Sequence, residues 1–335
     1  MSKVICFGSV CKDIFFPTDS GEIIQTPEDL LSQKKISFKL GAKYKIEKIY
    51  ESLGGCAANV SVGLMKLGVE SLCSVTIGGD MEGIWIREEM ARNKIKFDFL
   101  NIESDKKSGF SAIIIDIESG ERTIFSFKIS EKKFNLEADK LKEADWFFIG
   151  DIHGKWEEQL EGIIQLAKDE KKKIAFNPRE SNIHENPNEI IQAISLTEIV
   201  FLNKDEAIEI VSHLEKEISA DKLNDEKFLL EKISSLKPNI VVITAGEKGA
   251  WISATQGIFY VPSLLTKAID VTGAGDSFSS GFLSAYIKGK QLEECIGWGI
   301  ANSASVVEHF GAIEGLLDEE KISFKAGEVQ VKKIN

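Results

Sequence analysis

Short apolar runs that stop at a glycine or a polar side chain recur along the chain. Residues 4–7 (Val-Ile-Cys-Phe) stop at Gly8-Ser9 and predict a buried first strand. Residues 72–77 stop at Gly78-Gly79-Asp80, residues 146–149 are wholly apolar, and residues 174–176 stop at Asn177-Pro178. Residues 199–202 precede Asn203, and residues 240–244 lead into Ala245-Gly246. Between these runs the apolar positions fall at helical spacing. Val60, Leu64 and Leu67 predict a helix closed by Gly68. Further helices are predicted over 81–93, 156–168 and 189–194, and from Asp205 onward. Strand and helix in alternation imply a largely parallel sheet with helices on both faces, a doubly wound α/β fold.

Two stretches break the alternation. Within 18–52, Ile36, Phe38 and Leu40 alternate with polar neighbours, as do Tyr44, Ile46 and Ile49, which predicts a β-hairpin excursion. Residues 110–117 and 123–127 predict two strands joined by Glu118-Ser119-Gly120-Glu121, a hairpin signal. The segments of about 14–52 and 108–128 are expected to form a small second sheet, a lid over the strand ends. No repeat or Pro/Gly/Ser-rich linker divides the chain, so 1–335 is expected to be a single domain.

Candidate chemistry gathers where strands end. Asp13, Asp80, Asn177 and Asn203 each follow a predicted strand, and on a parallel sheet such positions share one edge. The sharpest stretch is Asp270-Val-Thr-Gly-Ala-Gly-Asp276, which opens into a helix bearing Phe278, Phe282, Ala285 and Tyr286. A helix start offers free N–H groups and the positive end of a dipole, which suit phosphate. A carboxylate there repels an anion unless it has a task, such as taking a proton from an attacking hydroxyl. Capping would explain Asp276, but not Gly273-Ala274-Gly275. A second glycine pair, Gly54-Gly55, opens the helix that carries Asn59. Asn203 and Glu206 have the spacing of a capping box, the commoner use of such a pair, and also of a pair organising Mg2+ around phosphates. Thr244, Gly246 and Gly249 belong to a loop that is either a simple turn or a passage beside a nucleotide.

Bulk properties narrow the classes. A net charge of −12 without a basic face argues against nucleic-acid or acidic-membrane partners. No apolar run reaches the length of a membrane span, and residues 1–8 lack the layout of a signal peptide. The five cysteines form no C-x-x-C pair, so reduced thiols and a cytoplasmic setting are expected. There is no G-x-x-x-x-G-K-[ST], no G-x-G-x-x-G after a strand, and no H-R-D or D-F-G. The missing dinucleotide fingerprint sets aside an NAD-dependent enzyme.

Together these residues resemble the ribokinase-like (PfkB) family of carbohydrate and nucleoside kinases. Gly54-Gly55-x-x-x-Asn59, with Val62 to Gly68 behind it, and Asp270-x-Thr-Gly-Ala-Gly-Asp276-x-Phe278 carry the resemblance. It implies a three-layer α/β/α fold with a β-sheet lid, and ATP-dependent transfer of the γ-phosphoryl group to a hydroxymethyl oxygen. On that resemblance Asp276 is the base, and the N–H groups of Ala274, Gly275 and Asp276, after Gly273, form the anion hole. Asp13, Gly54, Gly55 and Asn59 hold acceptor hydroxyls. Asn203 and Glu206 lie near Mg2+, Thr244, Gly246 and Gly249 beside the nucleotide, and Asn302 near the adenine. Asp270 and Thr272 are candidates for a monovalent cation such as K+. Cys56 stands where many sugar kinases carry a polar residue, which leaves the choice of sugar or nucleoside open. A homodimer through the lid is also expected, since exposed sheet edges tend to be covered. The competing reading is a catalytically idle sensor of the same fold.

Overall fold

The computed structural model describes residues 2–26, 28, 34–129, 134 and 141–334. Five strands precede the first helix: β1 (Lys3–Phe7), β2 (Cys11–Thr18), β3 (Glu22–Gln25), β4 (Lys34–Ser37) and β5 (Tyr50–Gly54). The Cys56–Lys66 helix leads to β6 (Glu70–Gly78), the Met81–Arg92 helix, β7 (Leu100–Glu103), β8 (Gly109–Asp116) and β9 (Arg122–Phe127). Strand and helix then alternate through β10 (Trp146–Ile149), β11 (Lys173–Phe176), β12 (Ile199–Asn203) and β13 (Ile240–Thr244). Three further strands, β14 (Ala250–Ala254), β15 (Gly257–Val261) and β16 (Lys332–Ile334), bracket the Ala274–Ile287, Leu292–Val306 and Glu319–Ala326 helices.

Ten strands form the main sheet in the order β16-β15-β14-β13-β12-β11-β10-β1-β6-β7. Pairing is parallel from β7 to β13 and antiparallel through β14, β15 and β16. β1 shows why its run is continuously apolar. Val4 and Cys6 enter the core on one face, while Ile5 and Phe7 enter the core on the other. This is the expected doubly wound α/β sheet.

A separate four-stranded sheet, β5-β2-β8-β9, stands beside it, with β3 and β4 paired as a two-stranded ribbon. The excursion does contain an antiparallel pair, but its strands are β3 and β4, which take in Ile36 alone of the alternating residues. Phe38 and Tyr44 meet edge to face at 5.3 Å, and the Lys39 N–H donates to the Tyr44 hydroxyl at 2.9 Å. A local turn therefore takes the place of a second strand. Residues 27 and 29–33 of that excursion lie outside the described residues.

Asp13 is a second correction. It lies within β2, not in a loop after β1. Cys11, Asp13 and Phe15 alternate inward while Lys12, Ile14 and Phe16 are more exposed. A carboxylate on the inward face disguised the period.

Candidate active site

The Ala274–Ile287 helix begins at Gly273, whose φ of 74° is left-handed. A Cβ at Gly273 would stand 2.4 Å from the Ala312 Cβ, so the turn that starts the helix needs glycine twice over. Asp276, in the first helical turn, spends its carboxylate elsewhere than on the helix end. Its Oδ2 accepts from the Asn59 Nδ2 at 2.8 Å. That bond fixes the Asn59 amide and leaves Oδ1 as a buried acceptor with no partner among the described residues. Asn59 comes from the first turn of the Cys56–Lys66 helix and is only 5% exposed. Burial pushes the Asp276 carboxyl up to about 6, and the hydrogen bonds from Asn59 and Cys56 only partly oppose it. A carboxylate so poised suits proton abstraction near neutral pH.

The facing wall carries Asp13, buried in β2, whose Oδ1 accepts from the Cys11 thiol at 3.1 Å. Burial raises the Asp13 pKa, opposed chiefly by Lys128. A Cβ at Gly54 would fall 1.9 Å from the Asp13 Oδ2, so this glycine exists to let the carboxylate in. Lys128 lies 3.4 Å from the Cys11 Sγ. Burial works against its charge, but Cys11, Asp151 and Asp13 together hold it above its usual range. Asp151 accepts from the Ser9 N–H at 3.0 Å and the Ser9 hydroxyl at 2.5 Å. Burial would raise Asp151, yet His153, Lys128 and Ser9 hold it well below the usual carboxylate range. Asp13, Gly55, Asn59 and Asp276 share one cavity of ≈ 840 Å³ with these residues.

Toward the other end, Asp270 is wholly buried and accepts from the Thr272 and Gly311 N–H groups, each at 2.9 Å. The Thr272 Oγ1 is buried with no hydrogen-bond partner among the described residues. Asn203 and Glu206 form a reciprocal capping box: the Glu206 N–H donates to the Asn203 Oδ1 and the Asn203 N–H to the Glu206 carboxylate, both at 2.8 Å. Glu206 still lines the cavity, with Glu209 one turn on, and burial pushes its carboxyl up to about 8. Among the described residues no cluster of three or more metal-ligating side chains occurs. That donor set fits an ion carried mainly by phosphate oxygens and water, not by a protein cage.

Several expectations meet a different setting. Asn302 does not line the cavity. It is 0% exposed, donates to the Ser277 carbonyl (2.9 Å) and the Ser280 hydroxyl (3.3 Å), and accepts from the Leu317 N–H (3.0 Å). With both amide hydrogens given to the Ala274–Ile287 helix and the oxygen accepting from Leu317, this side chain ties neighbouring segments together. Thr244 is the register partner of Asn203, and Gly246 opens a 3-10 turn beside it, but neither reaches the cavity wall. Gly249 is required by packing, since a Cβ there would meet the Val261 carbonyl at 2.0 Å. Of the amides expected to form an anion hole, the Ala274 N–H already donates to the Val271 carbonyl at 3.3 Å. Asp80 faces another way and caps the Met81–Arg92 helix.

The sequence reading missed Asp151, His153, Lys128 and Arg179, all part of this wall or bonded to it. Asp151 could have been found, because it follows β10 as Asn177 follows β11. Lys128 gives no such signal, since its role comes from the fold-back of β9.

Comparison with known proteins agrees with this geometry. The model of the pfkB family of carbohydrate kinases matches residues 1–319. A nucleoside kinase of Methanocaldococcus jannaschii is 26% identical over 332 residues, covering 96% of each chain. A cytidine kinase of Thermococcus kodakarensis is 30% identical over 262 residues, covering 77% of this chain and 88% of the relative. The structure of Arabidopsis thaliana ribokinase complexed with ribose and ATP superposes with a TM-score of 0.74 at 18% identity, covering 97% of this chain and 99% of that one. With the two-sheet fold and the matching motifs, these place the chain in the pfkB family: it is a kinase of the ribokinase fold, a phosphotransferase acting on an alcohol group.

Proposed function

We propose that this kinase transfers the γ-phosphoryl group of ATP to the hydroxymethyl oxygen of a sugar or nucleoside, with Asp276 as general base. The observation that carries the proposal is the Asn59–Asp276 contact at the glycine-led helix start, beside an unpartnered Asn59 acceptor. The acceptor hydroxyl gives its proton to Asp276, and its oxygen bonds to the γ-phosphorus. The bond to the bridging oxygen breaks, and its electron pair leaves on ADP. Asp13, Gly54, Gly55 and Asn59 take the remaining acceptor hydroxyls. Backbone amides of Gly275 and Asp276, with a lesser share from Ala274, face the charge on the transferred group.

Asn203 and Glu206 lie toward the phosphates, with Thr244 and Gly246 farther along the nucleotide. Glu206 would hold Mg2+ through water, and a bound Mg2+ neutralises phosphate charge. The buried Asp270 carboxylate and the orphaned Thr272 Oγ1 fit K+. Ile113 and Ile124 from the small sheet give the cavity an apolar wall, which favours a nucleoside, whose base needs one. The outer face of that sheet exposes Phe125 by 64% and Phe127 by 54%, and a second copy of the chain would cover it. Light scattering that finds only monomer would remove the dimer.

The deciding experiment follows ATP consumption against ribose, fructose, fructose phosphates, adenosine, inosine and cytidine. Turnover with a nucleoside is expected. ATP binding without turnover on any acceptor would favour the sensor instead.

A further inference from the structure

We propose that Arg179 is the cationic group that meets the γ-phosphoryl oxygens during transfer, and that His153 is its positioning residue. The inference rests on Asp276 as the base. Phosphoryl transfer spreads negative charge over three equatorial oxygens, and a helix start answers it with partial charges only. The chain has no P-loop lysine. Three permanent cations line the cavity: Arg122, Lys128 and Arg179. Lys128 is already answered by Asp13 and Asp151, and Arg122 sits exposed on the edge strand β9.

Arg179 is differently held. It follows β11 and Asn177-Pro178, with φ −85° and ψ 140°, as the N-cap of the Glu180–Glu185 helix. Its Nη1 contacts the ring of His153, nearer to Nδ1 than to Nε2. Arginine keeps its proton, so the guanidinium donates and Nδ1 accepts. That assigns the ring proton to Nε2, which lies 3.4 Å from the Asp151 Oδ2. Asp151 is in turn fixed by Ser9. The chain Ser9–Asp151–His153–Arg179 thus delivers a guanidinium to the cavity. Among the described residues its hydrogen bonds go to His153, and no carboxylate neutralises it.

Its location fits the task. Arg179 lines the same cavity as Asp276 and as Glu206 and Glu209, the carboxylates proposed for the phosphate end. The phosphoryl group passes through that cavity while its bond to ADP breaks and its bond to the acceptor oxygen forms. A forked donor there stabilises the crossing more than either end state.

The test measures calorimetric affinities for Mg-ADP and for its β,γ-imido triphosphate analogue. It adds kcat and KM for the acceptor found by the ATP-consumption screen, and thermal midpoints. Arg179→Gln should lower kcat by at least ~100-fold and weaken the triphosphate analogue ~10-fold relative to ADP, with acceptor KM within about 3-fold. Arg179→Lys should show the same selectivity at smaller amplitude, because charge survives and the fork does not. His153→Gln should lower kcat about 10-fold in the same selective way with the thermal midpoint unchanged. An unchanged analogue-to-ADP ratio with raised acceptor KM would overturn the proposal and make Arg179 a reader of an anionic acceptor. Equal loss of both nucleotides, or a lower thermal midpoint in all three variants, would reduce it to a structural role. Asp276→Asn separates the two readings, since it should lower kcat by at least ~100-fold while leaving the analogue-to-ADP ratio intact.

Discussion

Single side chains decide the chemistry here, and two carboxyls do so through their surroundings. Asp276 has its pKa raised to about 6, so kcat/KM should fall as pH drops through that value, where the proposed base becomes protonated. Asp276→Asn should lower kcat by at least ~100-fold and remove this acid limb, with ATP-analogue affinity nearly intact. Near-normal turnover in that variant would refute the assignment. Glu206 offers a stability test. Its folded pKa of about 8 exceeds the ordinary 4.5, so its stabilising contribution is fully present below 4.5 and is lost as pH rises through 8. A glutamine side chain there would keep an acceptor for the Asn203 N–H without a charge to bury. Glu206→Gln should therefore be more stable than wild type by about 2–4 kcal/mol at pH 9, and nearly equal at pH 4.5, in denaturant titrations without nucleotide. A loss of stability at pH 9 would mean that the carboxylate has a counter-charge in the folded protein.

At the scale of elements, legibility followed the hydrophobic period. β10 and β13 coincide with their apolar runs residue for residue, and β1, β6, β11 and β12 extend theirs by no more than two residues at an end. A strand buried on both faces leaves an unbroken signature. β2 was hidden because its inward row includes Asp13. β14, β15 and β16 pair antiparallel at the sheet edge and fell outside the strand–helix rhythm. The helix start at Gly273 was legible because only glycine tolerates that turn. Gly273→Ala should cost about 2–4 kcal/mol, from the left-handed backbone and the collision with Ala312, and lower kcat/KM at least ~10-fold by displacing the first-turn amides. Wild-type stability and kinetics in this variant would show that the turn relaxes freely.

Across the whole molecule, the sheet brings together residues far apart in sequence: Asn59 and Asp276 are separated by 217 positions, Ser9 and Asp151 by 142. The two glycine signatures announced the first pair. The second pair, and Lys128 and Arg179 with it, carried no motif, because they meet only when the small sheet that ends in β9 is set against the ends of β10 and β11 in the main sheet. No helix among the described residues is long and apolar enough to cross a membrane.

The strand β9 links two properties that are usually separate. Arg122, Ile124 and Ser126 line the cavity, while Phe125 and Phe127 lie exposed at the alternate positions of the same ribbon. β9 is paired with β8 on one side only. Whatever settled on its outer surface would also steady the inner wall, so the proposed self-association would be coupled to entry to the cavity. Amide exchange in β9 should slow as protein concentration rises, and slow again when nucleotide and acceptor are added. Rates independent of both would separate assembly from access.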